Sequence, residues 1–374
     1  MAPREPRSGA VLSRRALNRA TLARQLLLGR ADFSIMDAVA HLAGMQAQTP
    51  HTWYVGLWSR LANFQPDEVG ELLINRQLVR IALMRSTIHL VTAADCLAWR
   101  PIIQPVLERG LNSTFGKRLT GIDRAAFVAA GRALVDERPL TFAALGARLA
   151  EQWPGRDEAA LAQALRAWVP LVQAPPRGIW GRSGPIAHTS AQAWLGADVT
   201  AAPSPQHMVR RYLAAFGPAT VKDIQVWSGV TRLRAVVDDL RPELVTFRDE
   251  QGQELFDLPG APRPDPATPA PPRFLYDYDN LLLSYADRSR VITDDYRRQV
   301  YAPYGPPPQL VLIDGFTGGD WQVARERDTA TLTIRPFIPL SAEDTAALAE
   351  EGARLLAFIA ADAATRDVQI TAPV

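Results

Sequence analysis

The sequence is short of the residues that most often announce chemistry. It holds one cysteine, Cys96, in 374 residues. No disulfide framework can form within it, which fits a reducing cytoplasm. Its five histidines, His41, His51, His89, His188 and His207, include no pair four residues apart, and no cysteine pair lies near them. That argues against a zinc site, and no metal or cofactor is expected. There is no GxxxxGK phosphate loop and no GxSxG nucleophile elbow. No apolar run approaches the roughly 20 residues of a membrane-crossing helix. Lysine is almost missing: Lys117 and Lys222 are the only two, and the other 39 of the 41 basic residues are arginine. A Schiff-base mechanism therefore has few candidate amines.

What is present reads as an ordinary globular protein, with 47% hydrophobic and 21% charged residues and a net charge of +2. The chain is not a polycation. Arginine is the better fork for phosphates, although an Ala-, Arg- and Pro-rich composition also follows from GC-rich coding. The length suggests about two to four compact units. Residues 1 to 10 are Arg-rich and lack the apolar core of a secretory signal, so they are expected to be a frayed tail.

Periodicity then gives an outline. Helices are expected over about Ser13–Leu28, 34–43, Pro50–Leu61 and "QPDEVGELLIN". "LVRIALMRSTIHLV" alternates as two short strands, and Ala93–Trp99 is helical again. The outline recurs: helices over 122–137, 141–152 and 157–168 precede "PLVQAPPRGIWGRSGPIAHT", a strand, turn and strand. Helices over 205–216, 219–228 and 231–240 precede "LVTFRDEQGQELFDLP", a hairpin about Gln251-Gly252. Three helices and a hairpin are the outline of a winged helix, which most often binds nucleic acid. The Pro-rich stretch 259–273 is the clearest break. Beyond it lie three strands and a final amphipathic helix over Ala342–Ala360. The expected units are 11–120, 121–204, 205–265 and a β-rich element over 266–374.

The stretch "HLAGMQAQTPHTWYVGLW" places Gln46 and Gln48 in apolar surroundings. A buried polar group without partners costs roughly 1–3 kcal/mol. These amides are therefore capped by backbone, exposed, or turned toward a polar object. Gly44 before and Pro50 after predict an extended link. There i and i+2 share a side, whereas in a helix they point about 160° apart. Two amides converging in this way can hold a water.

Several segments, in order along nearly the whole chain, resemble the YcaQ/AlkZ superfamily of winged-helix DNA glycosylases. They are "LSRRALNRATLARQLLL", "GMQAQTPHTWYVGLWSRL", "MRSTIHLVTAADCLAWRPIIQPVL", "VQAPPRGIWG", "YDNLLLSYADRSRVI" and "VLIDGFTGGDW". The resemblance implies an α+β fold: three tandem winged-helix domains and a C-terminal β-rich, barrel-like element around a concave DNA channel. It implies excision of N7-alkylated purines and unhooking of interstrand crosslinks. The AlkZ branch is associated with self-resistance to DNA-alkylating natural products. Its motif is glutamine, an apolar residue and glutamine, which Gln46-Ala47-Gln48 matches, so Gln46 and Gln48 are the implied catalytic pair. Tyr276 stands where many members carry proline.

On this basis the partner is double-stranded DNA with alkylated or crosslinked guanine, and a cytoplasmic monomer is expected. A noncatalytic winged-helix regulator is the rival reading, and a drug-sequestering protein a second. Arg85, Thr87 and His89 fall on one side if strand alternation holds, lining the same channel or a solvent-facing edge. Arg177 and Arg182 flank Trp180 in the second wing. They are expected at DNA phosphates, the alternative being a solvated loop with an anchoring tryptophan. Arg288 and Arg290 are expected to contact phosphate also, the alternative being an ion pair with Asp287. Trp321 is expected at a groove or in the core.

Overall fold

The computed structural model describes residues 9–299 and 307–373. The expected tail thus lies almost wholly outside the described residues. The first region runs β1 (Val11–Leu12), α1 (Arg14–Arg24), α2 (Ile35–His41), β2 (Met45–Gln46), α3 (Thr52–Trp58), α4 (Pro66–Ile74), β3 (Leu78–Ala82), β4 (Ile88–Thr92) and α5 (Ala93–Phe115). The hydroxyls of Ser13, Ser34 and Thr92 accept from first-turn amides of α1, α2 and α5. Caps of this kind contribute about 1 kcal/mol each. α1 stops a turn earlier than its periodicity suggests, because Leu26 turns left-handed at φ 57°. α5 runs well past the expected Trp99, for 23 residues and through Pro101 and Pro105. Pro101 cannot donate to the carbonyl of Leu97. The amide of Thr200 does so instead, at 3.1 Å.

The second region holds α6 (Arg124–Glu137), β5 (Leu140–Thr141), α7 (Phe142–Gln152), α8 (Glu158–Trp168), β6 (Leu171–Gln173), β7 (Ala187–Ser190) and α9 (Ala191–Leu195). The third holds α10 (Pro205–Phe216), α11 (Val221–Ser228), α12 (Arg234–Leu240), β8 (Val245–Asp249) and β9 (Glu254–Asp257). Last come β10 (Arg273–Phe274), α13 (Asp294–Gln299), β11 (Gln309–Ile313), β12 (Phe316–Glu326), β13 (Thr329–Pro336), α14 (Ala342–Ile359) and β14 (Thr365–Ile370).

The strands join regions that are far apart in sequence. Among the described residues, β2-β4-β3-β6-β7-β5 form one sheet, in that order, fused where Ile81 pairs with Val172. The first two hairpins thus share a sheet. β1 pairs in parallel with β8, so the N-terminal segment closes onto the third hairpin. The sheet β10-β11-β12-β13-β14 is antiparallel except for β14, which runs parallel to β13. It curls as a half-barrel. α14 covers it with Leu348, Leu355 and Leu356 against Leu332 and Ile334.

The Pro-rich stretch is not a free linker. Arg15, Arg19 and Arg24 of α1 donate to the carbonyls of Pro266 (2.8 Å), Thr268 (2.6 Å) and Pro262 (3.3 Å). Arg24 also forms a fully buried, two-pronged pair with Asp257, at 2.7 and 2.8 Å. Much of the arginine of α1 is therefore committed to the fold.

Candidate catalytic site

The extended link forms for a local reason. α2 ends at His41, and the chain turns at Gly44, whose φ is +81° and where a Cβ would lie 2.7 Å from Val91 Cγ1. The chain leaves this turn as β2 and pairs antiparallel with β4, Met45 opposite Leu90 and Gln46 opposite His89. The ladder continues with Ala47 N–H donating to the Ile88 carbonyl at 2.7 Å. Gln46 and Gln48 therefore share one side of an extended segment. They differ in exposure: Gln46 is 3% exposed, whereas Gln48 is solvent-exposed.

Beyond Ala47 the ladder is broken by side chains. The carbonyl of Ala47 accepts from Arg80 Nη2 at 2.8 Å. The amide of Ile88 donates to Gln48 Oε1 at 3.2 Å. Arg80 is buried, and its Nε and Nη1 have no protein partner. Burial lowers its pKa to about 10, so it is still a cation at neutral pH.

Arg85 does not lie on a strand. It occupies a tight turn over Met84–Ser86, with φ +56° at Arg85 and +61° at Ser86. Alternation therefore fails to relate it to Thr87 and His89. It nevertheless reaches the motif. Its Nη2 donates to Gln46 Oε1 at 2.6 Å and to Asn280 Oδ1 at 3.4 Å, and its Nη1 donates to the Trp227 carbonyl at 2.6 Å. Burial lowers its pKa to about 10, with a smaller push in the same direction from Arg288.

His89 is fully buried, with its ring beside Gln46 across the strand pair. Burial first, then Arg85, pushes its pKa down to about 3, leaving it neutral. Its Nδ1 lies 3.0 Å from the Thr87 carbonyl. A carbonyl only accepts, so the ring hydrogen sits on Nδ1. Nε2 is buried without a partner. Thr87 is half-buried and binds the Met84 carbonyl through its hydroxyl at 3.0 Å.

Asn280 and Arg80 also belong to the site, although no motif in the sequence marks them. For Arg80 the available signal is a lone arginine inside the apolar run "LVRIA". Asn280 is held by the pair before it: Asp279 takes both Nη1 and Nη2 of Arg60, at 2.9 and 2.8 Å, with both side chains buried. Nearby, Asp277 accepts from the hydroxyls of Thr49 and Thr52.

The arginines expected at phosphates separate into two groups. Arg182 and Arg288 are exposed, and Arg177 is half-buried with a bond to the Gly184 carbonyl at 3.2 Å. Arg290 is instead 6% exposed. It stacks 4.0 Å from the centre of the Tyr285 ring and donates to the Pro218 carbonyl at 2.9 Å, so it is held inside the fold rather than displayed like Arg182 and Arg288. Asp287 pairs with neither arginine; it accepts from the amide and hydroxyl of Ser289. Trp321 is 5% exposed and belongs to the core, its indole N–H donating to the Leu275 and Leu310 carbonyls. Trp180 anchors the segment between β6 and β7 by stacking on Phe358, with ring centres 5.2 Å apart.

Among the described residues, no three His, Cys, Asp or Glu side chains group as metal ligands, and no helix is long and apolar enough to cross a membrane.

The chain is similar to known proteins over most of its length. A family model described as "DNA glycosylase AlkZ-like" matches residues 39–358. A protein of Streptomyces sahachiroi named "Interstrand DNA cross-link repair glycosylase" is 25% identical over 336 residues, covering 84% of this chain and 88% of that protein. The solved structure of the Streptomyces sahachiroi DNA glycosylase AlkZ superposes with a TM-score of 0.77 at 22% identity, over 96% of this chain and all of that one.

Proposed function

The chain belongs to the AlkZ-like DNA glycosylase family, and from that premise we propose that it hydrolyses the N-glycosidic bond of bulky N7-alkylpurines and unhooks interstrand crosslinks. As a member it is a DNA glycosylase. The finer reading is that each set of three helices and a hairpin acts as a winged helix, within 11–120, 121–204 and 205–265. Together with the half-barrel of 266–374 these line a concave channel for duplex DNA. In this reading the protein works as a cytoplasmic monomer, and the role is self-resistance to a DNA-alkylating natural product.

One observation carries the proposal: two neutral amides, Gln46 and Gln48, share one side of an extended segment held from beneath by Arg85 and Arg80. An amide is not a useful base near neutral pH, so this pair suits a reaction in which the leaving group is already good. An N7-alkylated purine carries a positive charge. When the C1′–N9 bond breaks, its electron pair neutralises the ring, and positive charge develops on the sugar, as in glycoside hydrolysis. A water held by the two amides adds its oxygen to C1′, and the surplus proton leaves to solvent. The products are an abasic strand, a neutral alkylpurine and one proton. Placement of the water and fixed dipoles then supply most of the acceleration. Undamaged purines, which are poor leaving groups, survive.

The test is incubation of the purified protein with DNA carrying an N7-alkylguanine, followed by assay for free base and abasic sites. Release of the base supports the proposal. A gel shift without base release would replace it with a noncatalytic DNA-binding regulator.

A further inference from the structure

We infer that Arg85 sets the polarity of the site, fixing Gln46 as a hydrogen-bond donor and leaving Gln48 as the acceptor. The inference rests on the glycosylase reading above and deepens it. An amide side chain can present either end to a ligand, and in solution the two ends exchange by rotation. Here a chain of bonds removes that freedom. The carbonyl of Gly44 can only accept, so the end of Asn280 that meets it, at 3.0 Å, is the amino group Nδ2. The oxygen Oδ1 of Asn280 then faces Arg85. The guanidinium can only donate, and its Nη2 holds Gln46 by Oε1 at 2.6 Å. Its other arm is fixed on the Trp227 carbonyl at 2.6 Å. Both ends of the chain are therefore main-chain oxygens, which cannot flip.

The Nε2 amino group of Gln46 makes no protein hydrogen bond among the described residues, and it is not sealed from solvent. It is what Gln46 offers to a ligand. Gln48 has the opposite bias. Its Oε1 accepts one bond, from the Ile88 amide at 3.2 Å, and keeps a second lone pair in an exposed position. A water between them receives a hydrogen bond from Gln46 and donates one to Gln48. One lone pair is then left to point at C1′. Charge-assisted bonds such as Arg85 to Gln46 are about twice as strong as neutral ones, so the orientation survives binding of a ligand. Arg85 touches neither water nor sugar in this arrangement; it is a positioning residue.

The test compares glutamate substitutions by single-turnover base release from N7-alkylguanine DNA. Gln46→Glu keeps the oxygen that Arg85 holds and adds an ion pair, so the fold survives, but it loses the donor. Its excision rate is expected to fall roughly 10–1000-fold, as for Gln46→Ala. Gln48→Glu keeps its acceptor and is expected to be at least about tenfold faster than Gln46→Glu. A Gln46→Glu protein as fast as wild type, or one faster than Gln48→Glu, overturns the assignment of polarity. A double-mutant cycle supplies a readout that a purely structural arginine would not move. Arg85→Lys is expected to slow excision about tenfold or more in the wild-type background and by less than about threefold when Gln46 is already alanine. Additive losses overturn the inference. If Arg85→Lys does not fold, the glutamate comparison decides alone. Wild-type rates in both Gln46→Ala and Gln48→Ala would instead remove the catalytic reading itself.

Discussion

Gln46 and His89 face each other across the antiparallel pair of β2 and β4, and neither carries charge near neutral pH. For the glutamine that is inherent. For the histidine it follows from burial, which with Arg85 pushes its pKa down to about 3 from the ordinary 6.5. An unfolded chain binds a proton at this ring below about pH 6.5 that the folded chain refuses. The stability contribution is thus fully present above that pH and is lost as pH falls toward 3. His188, pushed down to about 4 by burial, acts in the same direction. Each ring is expected to lower stability by about 1.4 kcal/mol per pH unit below 6.5. Urea unfolding midpoints between pH 7.5 and 5 measure this, and His89→Leu should flatten the slope by one proton. Single-turnover excision, by contrast, should show no histidine step between pH 6 and 8. Midpoints that do not move with pH would mean that these rings are not buried neutral.

The split among the arginines predicts a split in salt dependence. If exposed Arg182 and Arg288 each neutralise a phosphate, replacing either with alanine lowers the slope of log affinity against log salt by about one unit. The half-buried Arg177 should behave likewise if it leaves the Gly184 carbonyl for DNA. Arg290, stacked on Tyr285, should leave the slope untouched and lower the melting temperature. Fluorescence anisotropy on duplex DNA at several salt concentrations distinguishes them.

The pair of Arg60 and Asp279 predicts a coupling between stability and activity. Breaking a buried pair by removing one partner costs about 3–5 kcal/mol. Asp279→Ala should lose that much in urea unfolding. It should also lose excision at temperatures where it is still folded, because Asp279 holds the segment that carries Asn280 to Gly44 and Arg85. A destabilised variant with wild-type excision would separate Asn280 from the chemistry.

The parts of this molecule legible in the sequence are those set by local spacing. The helices over 122–168 and 205–240 and the hairpin about Gln251 appear close to where periodicity puts them, because each buries one face regardless of its partner. The extended link at Gln46 is also local, forced by the turn at Gly44 just after α2 ends. What was not legible depends on residues far apart. The parallel pairing of Val11 with Arg248, the joining of two hairpins at Ile81 and Val172, and the contact of Asn280 with Gly44 have no local signature. Alternation does not say which face of a strand is outward, so the pattern around Trp321 fits a groove and the core equally well. The left-handed turn at Arg85 broke the alternation on which its alignment with Thr87 and His89 rested.

The last prediction concerns the motif itself. Gln46→Ala and Gln48→Ala should each bind lesion DNA nearly as well as wild type but excise roughly 10–1000-fold more slowly, the scale of removing one positioned polar group. The losses should not add, because both amides act on one water. Truncating Gln46 also leaves Arg85 with the Trp227 carbonyl and Asn280, so this variant should remain folded. Gln48→Asp should excise faster than Gln48→Ala, since a carboxylate accepts the water's proton and its charge favours a cationic sugar. The product should be an intact abasic strand, because strand cleavage through a Schiff base needs an amine. Lys117 and Lys222 are the only lysines, and neither adjoins the motif in sequence. Single-turnover base release with binding measured separately is the decisive experiment. A double alanine variant that excises at the wild-type rate would leave Gln46 and Gln48 as structural amides and send the search for the catalytic groups elsewhere in the molecule.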